Sequence, residues 1–453
     1  MSRPAVAVAL VLAAAACGPP TGMADDDDDE PDGGGGPVAA LTGTVWAPNL
    51  APGMVGLGEE IPVAGAVVSL RAERPPPIPD GVYCEPCADA TGAAVTDADG
   101  HFQVGVLTPG TYWLVIQKGQ FRSERQVELI AGTRALTDAE TVLPSRRDLA
   151  AGQTIPRIAV AVGNNDSIQD ILGKLGLGTV GDDGALTSTD GELDFYTNGG
   201  ADLGLAMGTL RQLVGDPARL ASYHIVFIPC ALNANVAALA DQATLRNLRD
   251  YVAAGGKLYV TDWSGEWVDA VFPRQLELGA SRLGTRTDTP PAAYDPVNDT
   301  WDPALFGDAD GDVYTAPDGA AVDPELIAWL DGQVGPRGET GGDVGPIDPR
   351  RFRVFDNWNW IAGTTAVPVG FDDQGQPVID TPKVWVTGSR SATPDPRPLT
   401  VTYHPAGCGR VLYSTYHTAP GSHRGLLPQE RVLLYLVLEL GVCANTIPIG
   451  RAP

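Results

Sequence analysis

Basic residues are scarce in this sequence. Its 453 residues include 30 Lys and Arg against 56 Asp and Glu, a formal net charge of −26. Binding to nucleic acids depends largely on Lys and Arg that neutralise phosphates, so we expect no nucleic-acid partner. The same charge disfavours direct binding to anionic lipid headgroups.

Long apolar runs are also lacking. A membrane-spanning helix needs about 18–20 consecutive apolar residues, and no segment has them. The apolar run from Ala5 to Ala16 follows Arg3 and has the length of a secretory signal sequence. We therefore predict an exported protein with a signal peptide over residues 1–17.

The signal sequence ends in small residues that lead into Cys17. It resembles the lipobox of bacterial lipoproteins, although Ala14 stands where that family prefers Leu. The resemblance implies that Cys17 is acylated, and Gly18 resembles lipoproteins released to the outer membrane. The alternative is an ordinary cleaved signal peptide. Residues 18–37, acidic and rich in Gly, predict a disordered tether.

Short runs of β type separated by turn residues follow over residues 38–144 and predict an all-β module. One of them, residues 93–107, is interpreted as a hairpin that turns at Asp99-Gly100. Four motifs resemble the carboxypeptidase regulatory-like domain, which implies a transthyretin-like β-sandwich without catalytic residues of its own. They are Thr42-Gly43-Thr44-Val45, Pro62-Val63-Ala64-Gly65-Ala66, Thr96-Asp97-Ala98-Asp99-Gly100-His101-Phe102 and Leu107-Thr108-Pro109-Gly110-Thr111-Tyr112. Asp97 and Asp99 are assigned to a turn rather than to calcium.

The pattern of apolar residues in the sequence changes after residue 150. Continuous apolar runs at 156–165, 223–230 and 257–263 alternate with amphipathic segments at 166–178 and 242–256. This rhythm predicts a three-layer α/β domain with a mostly parallel sheet over residues 150–453. Later strands are predicted at 383–388, 399–404 and 409–417, and a helix at 426–443. Residues 274–350 are rich in Pro, Gly and Asp and predict a loop insertion.

The α/β region resembles the class I glutamine amidotransferase-like (flavodoxin-like) superfamily, through residues 223–230, 248–256 and 409–417. Active members carry a catalytic Cys in a Gly-x-Cys-x-Gly elbow, where this chain reads Thr261-Asp262-Trp263-Ser264-Gly265-Glu266. His417 stands where the family has its His, but Ala419 replaces the Glu two residues later. The resemblance therefore implies a domain without amidotransferase activity.

A hydrolase remains an alternative. Ser264 could serve as a nucleophile, His417 as its base, and Asp262 or Glu266 as the group that orients the imidazole. Against it, Ser264 could cap a helix that begins near Glu266, and His417 could be a hydrogen-bonded residue at the rim.

The cysteines and acidic residues offer further candidates. Cys84-Cys87 is interpreted as a local disulfide, because no further ligands complete a zinc site there, and Cys408-Cys443 as a second disulfide permitted by export. Cys230 remains a free thiol that is either reactive or a buried bystander. Asp308, Asp310 and Asp312 imitate the start of a calcium loop, but Val313 and Gly319 depart from the EF-hand pattern. Calcium is therefore at most a weak candidate, and no other cofactor is expected.

Four tryptophans could form a ligand-binding platform or could pack in the core: Trp263, Trp267, Trp358 and Trp360. Together these features favour a non-catalytic binding or structural lipoprotein of the bacterial cell envelope, held at the outer membrane or cell surface by its lipid anchor. An unknown protein or glycan would be its ligand. The alternatives are an envelope hydrolase and a glycan-binding lipoprotein.

The lipid anchor gives the first prediction. Replacing Cys17 with Ala removes the only sulfur that the signal sequence offers for acylation, so palmitate labelling and membrane retention should both be lost. Metabolic labelling followed by fractionation measures both. A Cys17→Ala variant that still labels and stays in the membrane fraction contradicts the assignment.

Overall fold

The computed structural model describes residues 37–84, 92–200, 204–231, 236–278, 293–295, 300–302, 318–333, 351–355, 357, 359–389, 395–418 and 421–441. The predicted signal peptide and almost all of the tether lie outside this part of the chain. So do Cys17, Cys87, Cys443, Trp358 and the three calcium candidates Asp308, Asp310 and Asp312. No helix within the described part combines the length and the hydropathy needed to span a bilayer.

The N-terminal region is almost entirely β-structure, with one short helix, α1 (Asp138–Thr141). Its strands are β1 (Ala39–Thr44), β2 (Val67–Arg71), β3 (Ala93–Val95), β4 (His101–Val106), β5 (Gly110–Lys118), β6 (Phe121–Leu129), β7 (Gly132–Ala135) and β8 (Gln153–Thr154). They form one sheet of order β4-β1-β7 and another of order β3-β2-β5-β6-β8. Alternate residues of these strands, such as Leu41, Val104 and Ile116, enter one hydrophobic core.

The predicted hairpin at 93–107 is wrong in its pairing. The chain does turn at Asp97–Gly100, where the Gly100 N–H donates to the Asp97 carbonyl at 3.0 Å. However, β3 pairs with β2 and β4 pairs with β1, in different sheets. The turn carries the chain from one sheet to the other because the apolar faces of both sheets must meet in a single core.

The remaining strands follow from residue 158 onward. They are β9 (Ile158–Val162), β10 (Thr179–Val180), β11 (Leu186–Ser188), β12 (Leu193–Thr197), β13 (Ala206–Thr209), β14 (Ile225–Ile228), β15 (Lys257–Thr261), β16 (Leu276–Leu278), β17 (Ala293–Asp295), β18 (Thr300–Asp302), β19 (Asp318–Ala321), β20 (Arg351–Arg353), β21 (Ile361–Thr364), β22 (Val367–Phe371), β23 (Pro377–Asp380), β24 (Lys383–Gly388), β25 (Arg397–Tyr403) and β26 (Arg410–Ser414).

The helices are mostly short. They are α2 (Ile168–Leu172), α3 (Leu210–Val214), α4 (Pro217–Leu220), α5 (Gln242–Ala253), α6 (Glu266–Asp269), α7 (Pro324–Gly332) and α8 (Pro428–Leu440). A π-helical turn, Gly173–Leu177, extends α2, and 3₁₀ turns occupy Val236–Ala240 and Asp262–Gly265.

A ten-stranded mixed sheet organises this region, in the order β13-β12-β9-β14-β15-β26-β25-β24-β19-β20. The strands from β13 to β26 run parallel, and β25, β24, β19 and β20 extend them antiparallel. The predicted buried strands are confirmed as β9, β14 and β15. The sheet is mixed: five of its nine strand pairings are parallel, and the late strands join by antiparallel pairing.

Each central strand contributes to two cores. In β9, Val160 faces one core and Ala161 the other, and in β14 Phe227 and Val226 do the same. Helices α2 and α8 cover the first face, whereas α3 to α6 cover the second. The burial of both faces explains why these strands read as continuous apolar runs.

The interpretation of 274–350 as a loop insertion is wrong for its later part. Strand β19 pairs with β24 in the large sheet, and α7 buries Trp329. Asp323 caps α7, because its carboxylate accepts the N–H groups of Glu325 and Leu326. Pro324 at the first helical position strengthens the same start signal.

The first core continues from the β-rich N-terminal sheets into the α/β layers, and residues from Pro37 onward form one compact unit. The indole of Trp329 donates to the Pro62 carbonyl at 2.9 Å, and Arg431 donates to the Gly58 carbonyl at 2.8 Å. Lys118 forms an ion pair with Glu439 at the same boundary.

A disulfide joins the Pro-rich loop of the N-terminal region to the α/β region. Cys84 bonds to Cys408, which lies 324 positions later in the sequence, and their Cα atoms are 5.6 Å apart. Both predicted local pairings, Cys84-Cys87 and Cys408-Cys443, are therefore wrong, because each sulfur can form only one such bond. The loop folds back on the sheet, and the Val82 N–H donates to the Ala221 carbonyl at 2.9 Å.

This cross-link gives the second prediction. Peptide mapping without reduction should recover a Cys84–Cys408 peptide. Cys84→Ser should lower the free energy of unfolding by about 2–5 kcal/mol, since the bond closes a long loop in the unfolded chain. Urea denaturation measures the loss, and reduced wild type is the control. Recovery of a Cys84–Cys87 peptide contradicts the assignment.

Candidate functional site

Polar side chains gather where the parallel strands end. Cys230 follows β14, Asp262 follows β15, and His417 follows β26, while Asp166 lies beyond the end of β9. The carboxyl ends of parallel strands lie at one edge, where open α/β sheets place their ligands. All four side chains are nevertheless buried, with exposed fractions of 1%, 0%, 1% and 4% respectively.

Cys230, Asp262 and His417 form a triangle at this edge. The Asp262 Oδ2 atom lies 3.6 Å from Cys230 Sγ and 3.6 Å from His417 Nε2. The three donor atoms all lie within 4.8 Å of one another. The thiol donates its hydrogen bond to the carboxylate rather than to the imidazole. We call these three residues the edge cluster.

Asp262 is held in an unusual backbone conformation. Its φ of 44° lies in the left-handed region, which Asp tolerates better than bulky residues. Its Oδ1 accepts the Asn359 N–H at 2.7 Å, and its carbonyl accepts the Tyr413 hydroxyl at 2.9 Å. These bonds fix the carboxylate so that Oδ2 faces the other two members of the edge cluster.

His417 is fixed in one tautomer at Nδ1. That nitrogen lies 2.9 Å from the Thr418 carbonyl, which can only accept, so Nδ1 carries a proton. The His417 carbonyl in turn accepts the Gln429 amide at 2.6 Å. Within the described part of the chain, His417 Nε2 makes no hydrogen bond. Nε2 is thus the atom that remains available on the side of Asp262.

The Cys230 sulfur is a protonated thiol in this environment. Burial, and then the negative charge of Asp262, raise the pKa of Cys230 far above its usual range. A nucleophilic cysteine needs a lowered pKa and access to solvent. Of the two interpretations of this free thiol, the geometry favours the buried residue over the reactive one.

Ser264 occupies neither of its predicted roles. Its side chain is 2% exposed, and its hydroxyl donates to the Pro229 carbonyl at 2.8 Å. It is not hydrogen-bonded to His417, and it does not cap α6, which begins at Glu266 with Gly265 in the cap position and no side-chain cap bond. Ser264 instead ties the end of β15 to the end of β14. Glu266 is also buried.

Asp166 supports the edge cluster through hydrogen bonds. Its Oδ2 accepts the Thr261 hydroxyl at 2.8 Å, and that same hydroxyl accepts the Cys230 N–H at 2.9 Å. Its Oδ1 accepts the Thr418 hydroxyl at 2.7 Å. This role of Asp166 was not predicted from the sequence. The sequence feature that could have indicated it was the position of Asp166 just after a buried strand.

The tryptophans divide between core and edge. Trp267 is only 1% exposed and packs in the second core, as the packing alternative predicted. Trp263 and Trp360 are half-buried. The Arg397 guanidinium lies 5.2 Å from the centre of the Trp360 ring and occupies one of its faces. This contact leaves less of Trp360 for stacking a ligand.

The acidic turn at Asp97 and Asp99 behaves as predicted. Asp97 Oδ1 accepts the N–H groups of Asp99 at 3.0 Å and His101 at 2.8 Å, so it stabilises the turn. Asp97, Asp99 and His101 are close enough to hold an ion, but all three are exposed.

Comparisons with known proteins add little. No family profile matches the chain, and no curated protein matches it. Among solved structures, it resembles Cytoplasmic Protein STM3548 from Salmonella typhimurium at 12% identity and a TM-score of 0.28, over 73% of this chain and 95% of that one. It also resembles Gan42B, a GH42 β-galactosidase, at 12% identity and a TM-score of 0.24, over 66% of this chain and 31% of that one. Neither likeness is strong enough to carry an argument.

The Asp166 network gives the third prediction. Asp166→Ala leaves buried donors of Thr261 and Thr418 without their acceptor, so we expect a loss of roughly 3–5 kcal/mol in the free energy of unfolding. Asp250→Ala, at an exposed position of α5, is the matched control and should change it by less than about 0.5 kcal/mol. Urea denaturation measures both. Equal losses in the two variants contradict the network.

Proposed function

We propose that this chain is an exported, lipid-anchored protein of the bacterial envelope that binds a partner or has a structural role, without amidotransferase or serine-hydrolase chemistry. The N-terminal sheets are proposed to be a carboxypeptidase regulatory-like module, and the α/β region a degenerate amidotransferase-like domain. Its ligand is then a protein or glycan outside the cytoplasm. The membrane is contacted through the anchor at Cys17.

One observation carries the non-catalytic part of this proposal. The hydroxyl of Ser264 is buried and donates to the Pro229 carbonyl at 2.8 Å. A serine nucleophile needs its hydroxyl within hydrogen-bond reach of a general base and open to substrate. Ser264 meets neither condition.

The remaining candidates at the edge support the same conclusion. The thiol of Cys230 is held in its protonated form, and its partner is a carboxylate. The Cys230, Asp262 and His417 side chains are each no more than 1% exposed, so none of them is presented at the surface to a substrate in this conformation. The sequence adds that the elbow lacks Cys and that Ala419 replaces the third member of the triad.

The fusion of the two regions supports a binding or structural role. The shared core, the Cys84–Cys408 bond and the Trp329–Pro62 contact make the N-terminal sheets and the α/β layers one body. A single rigid unit on a tether can present its surface at a distance from the membrane.

An activity screen tests this proposal and gives the fourth prediction. The purified protein, Ser264→Ala and His417→Ala are compared on glutamine and on panels of ester and amide substrates. We expect no turnover above background from any of them. Turnover by wild type that falls at least about 100-fold in Ser264→Ala or His417→Ala contradicts the proposal and establishes a hydrolase.

A further inference from the structure

The edge cluster has an electrostatic problem in its present arrangement. His417 carries its proton on Nδ1, so the atom that faces Asp262 Oδ2 at 3.6 Å is Nε2. With Nε2 unprotonated, its lone pair faces a carboxylate oxygen inside the protein, and Nε2 receives no hydrogen bond from the described residues, although buried polar atoms need a partner. Either a second proton on the ring or a cation among the three side chains resolves the conflict.

We propose that Cys230, Asp262 and His417 are the protein ligands of a zinc-class divalent metal ion. This site is separate from the proposed binding role, and neither depends on the other. The donor set contains one sulfur, one nitrogen and one oxygen, which is chemistry that Zn²⁺ accepts. Calcium and magnesium prefer oxygen alone and do not suit it.

The spacing of the donors suits a tetrahedral ion. Zinc bonds of about 2.0 Å to oxygen and nitrogen and about 2.3 Å to sulfur place neighbouring ligand atoms about 3.3–3.5 Å apart. The observed separations from Asp262 Oδ2 are 3.6 Å to Cys230 Sγ and 3.6 Å to His417 Nε2. These two separations need to shorten by only a few tenths of an ångström, and the third, between Cys230 Sγ and His417 Nε2, is no longer than 4.8 Å before an ion draws the donors together. The fourth position is left for a water molecule.

Each ligand is oriented by a second bond, as is usual around metal ions. The Thr418 carbonyl holds Nδ1 of His417 and so leaves Nε2 for the metal. The Asn359 N–H holds Oδ1 of Asp262 and so leaves Oδ2. The Cys230 N–H is fixed by the Thr261 hydroxyl, which Asp166 accepts in turn. Such outer contacts fix the tautomer and direction of metal ligands.

The charges balance when the ion binds. Coordination displaces the proton of the Cys230 thiol to solvent, so the ligands become a thiolate, a carboxylate and a neutral imidazole. Their two negative charges neutralise the two positive charges of the ion. No electron is transferred, and the ion ties the ends of β14, β15 and β26 together. The expected role is structural, because all three ligands are buried.

The exposed group of Asp97, Asp99 and His101 provides an internal comparison. Its donors also lie within 4.8 Å of one another. However, Asp97 Oδ1 already accepts two backbone N–H groups, and all three side chains face solvent. A metal held there would be weak and lost on dialysis, which separates it from a buried site.

Cobalt substitution tests the proposal on the full chain purified in detergent. The protein is stripped with a chelator, loaded with Co²⁺, dialysed and measured for metal content and absorption. We expect about one ion per chain, a tetrahedral ligand-field spectrum and a thiolate-to-cobalt charge-transfer band. Zn²⁺ should displace the cobalt and raise the thermal midpoint of the stripped protein.

Variants assign the ligands. Cys230→Ser should abolish the charge-transfer band, and His417→Ala should weaken binding at least about 10-fold. His101→Ala is the control and should leave both unchanged. The wild-type protein alone can refute the proposal, so the test does not depend on whether a variant folds. If wild type retains no ion, or binds cobalt without the thiolate band, the proposal is overturned. Loss of the ion in His101→Ala overturns it as well and places the metal at the exposed group.

Discussion

The alignment of parallel strand ends governs this structure. Strands β9, β14, β15 and β26 end at one edge, and the residues that follow them, including Cys230, Asp262 and His417, are polar and buried. Buried polar groups need hydrogen-bond partners, so the polar groups at these strand ends form hydrogen bonds with their neighbours. Asp166 and Thr261 connect all four of these ends through one chain of hydrogen bonds. The same constraint engages Ser264, whose hydroxyl donates to the Pro229 carbonyl.

The β-rich N-terminal region packs against the α/β region and is not a separate domain beside it. Its core runs without interruption into the layer formed by α2 and α8, and Lys118 reaches Glu439 across the boundary. The Cys84–Cys408 bond fastens the Pro-rich loop to the connection between β25 and β26. A change at this boundary therefore affects both regions, and the two are expected to unfold together.

Much of the fold follows from local sequence patterns. Continuous apolar runs identified β9, β14 and β15, and a Gly-Gly stop after an amphipathic run identified α5, because strong periodicity and burial dominate these segments. The pairing of β3 and β4 with different sheets did not follow, since a turn signal does not specify which neighbour each strand finds. The Cys84–Cys408 bond did not follow either, because it joins residues 324 positions apart. At the edge, the sequence predicted that Asp262, His417 and Ser264 would act together. In the structure, Asp262 and His417 do lie together, but the third member of the group is Cys230.

The central claim is that the buried edge holds a metal ion rather than a catalytic pair. Anomalous X-ray diffraction from crystals of the zinc-loaded protein, collected on both sides of the zinc absorption edge, tests it most directly. The account predicts one strong peak about 2.0–2.3 Å from Cys230 Sγ, Asp262 Oδ2 and His417 Nε2. The absence of an anomalous peak at that position would contradict it.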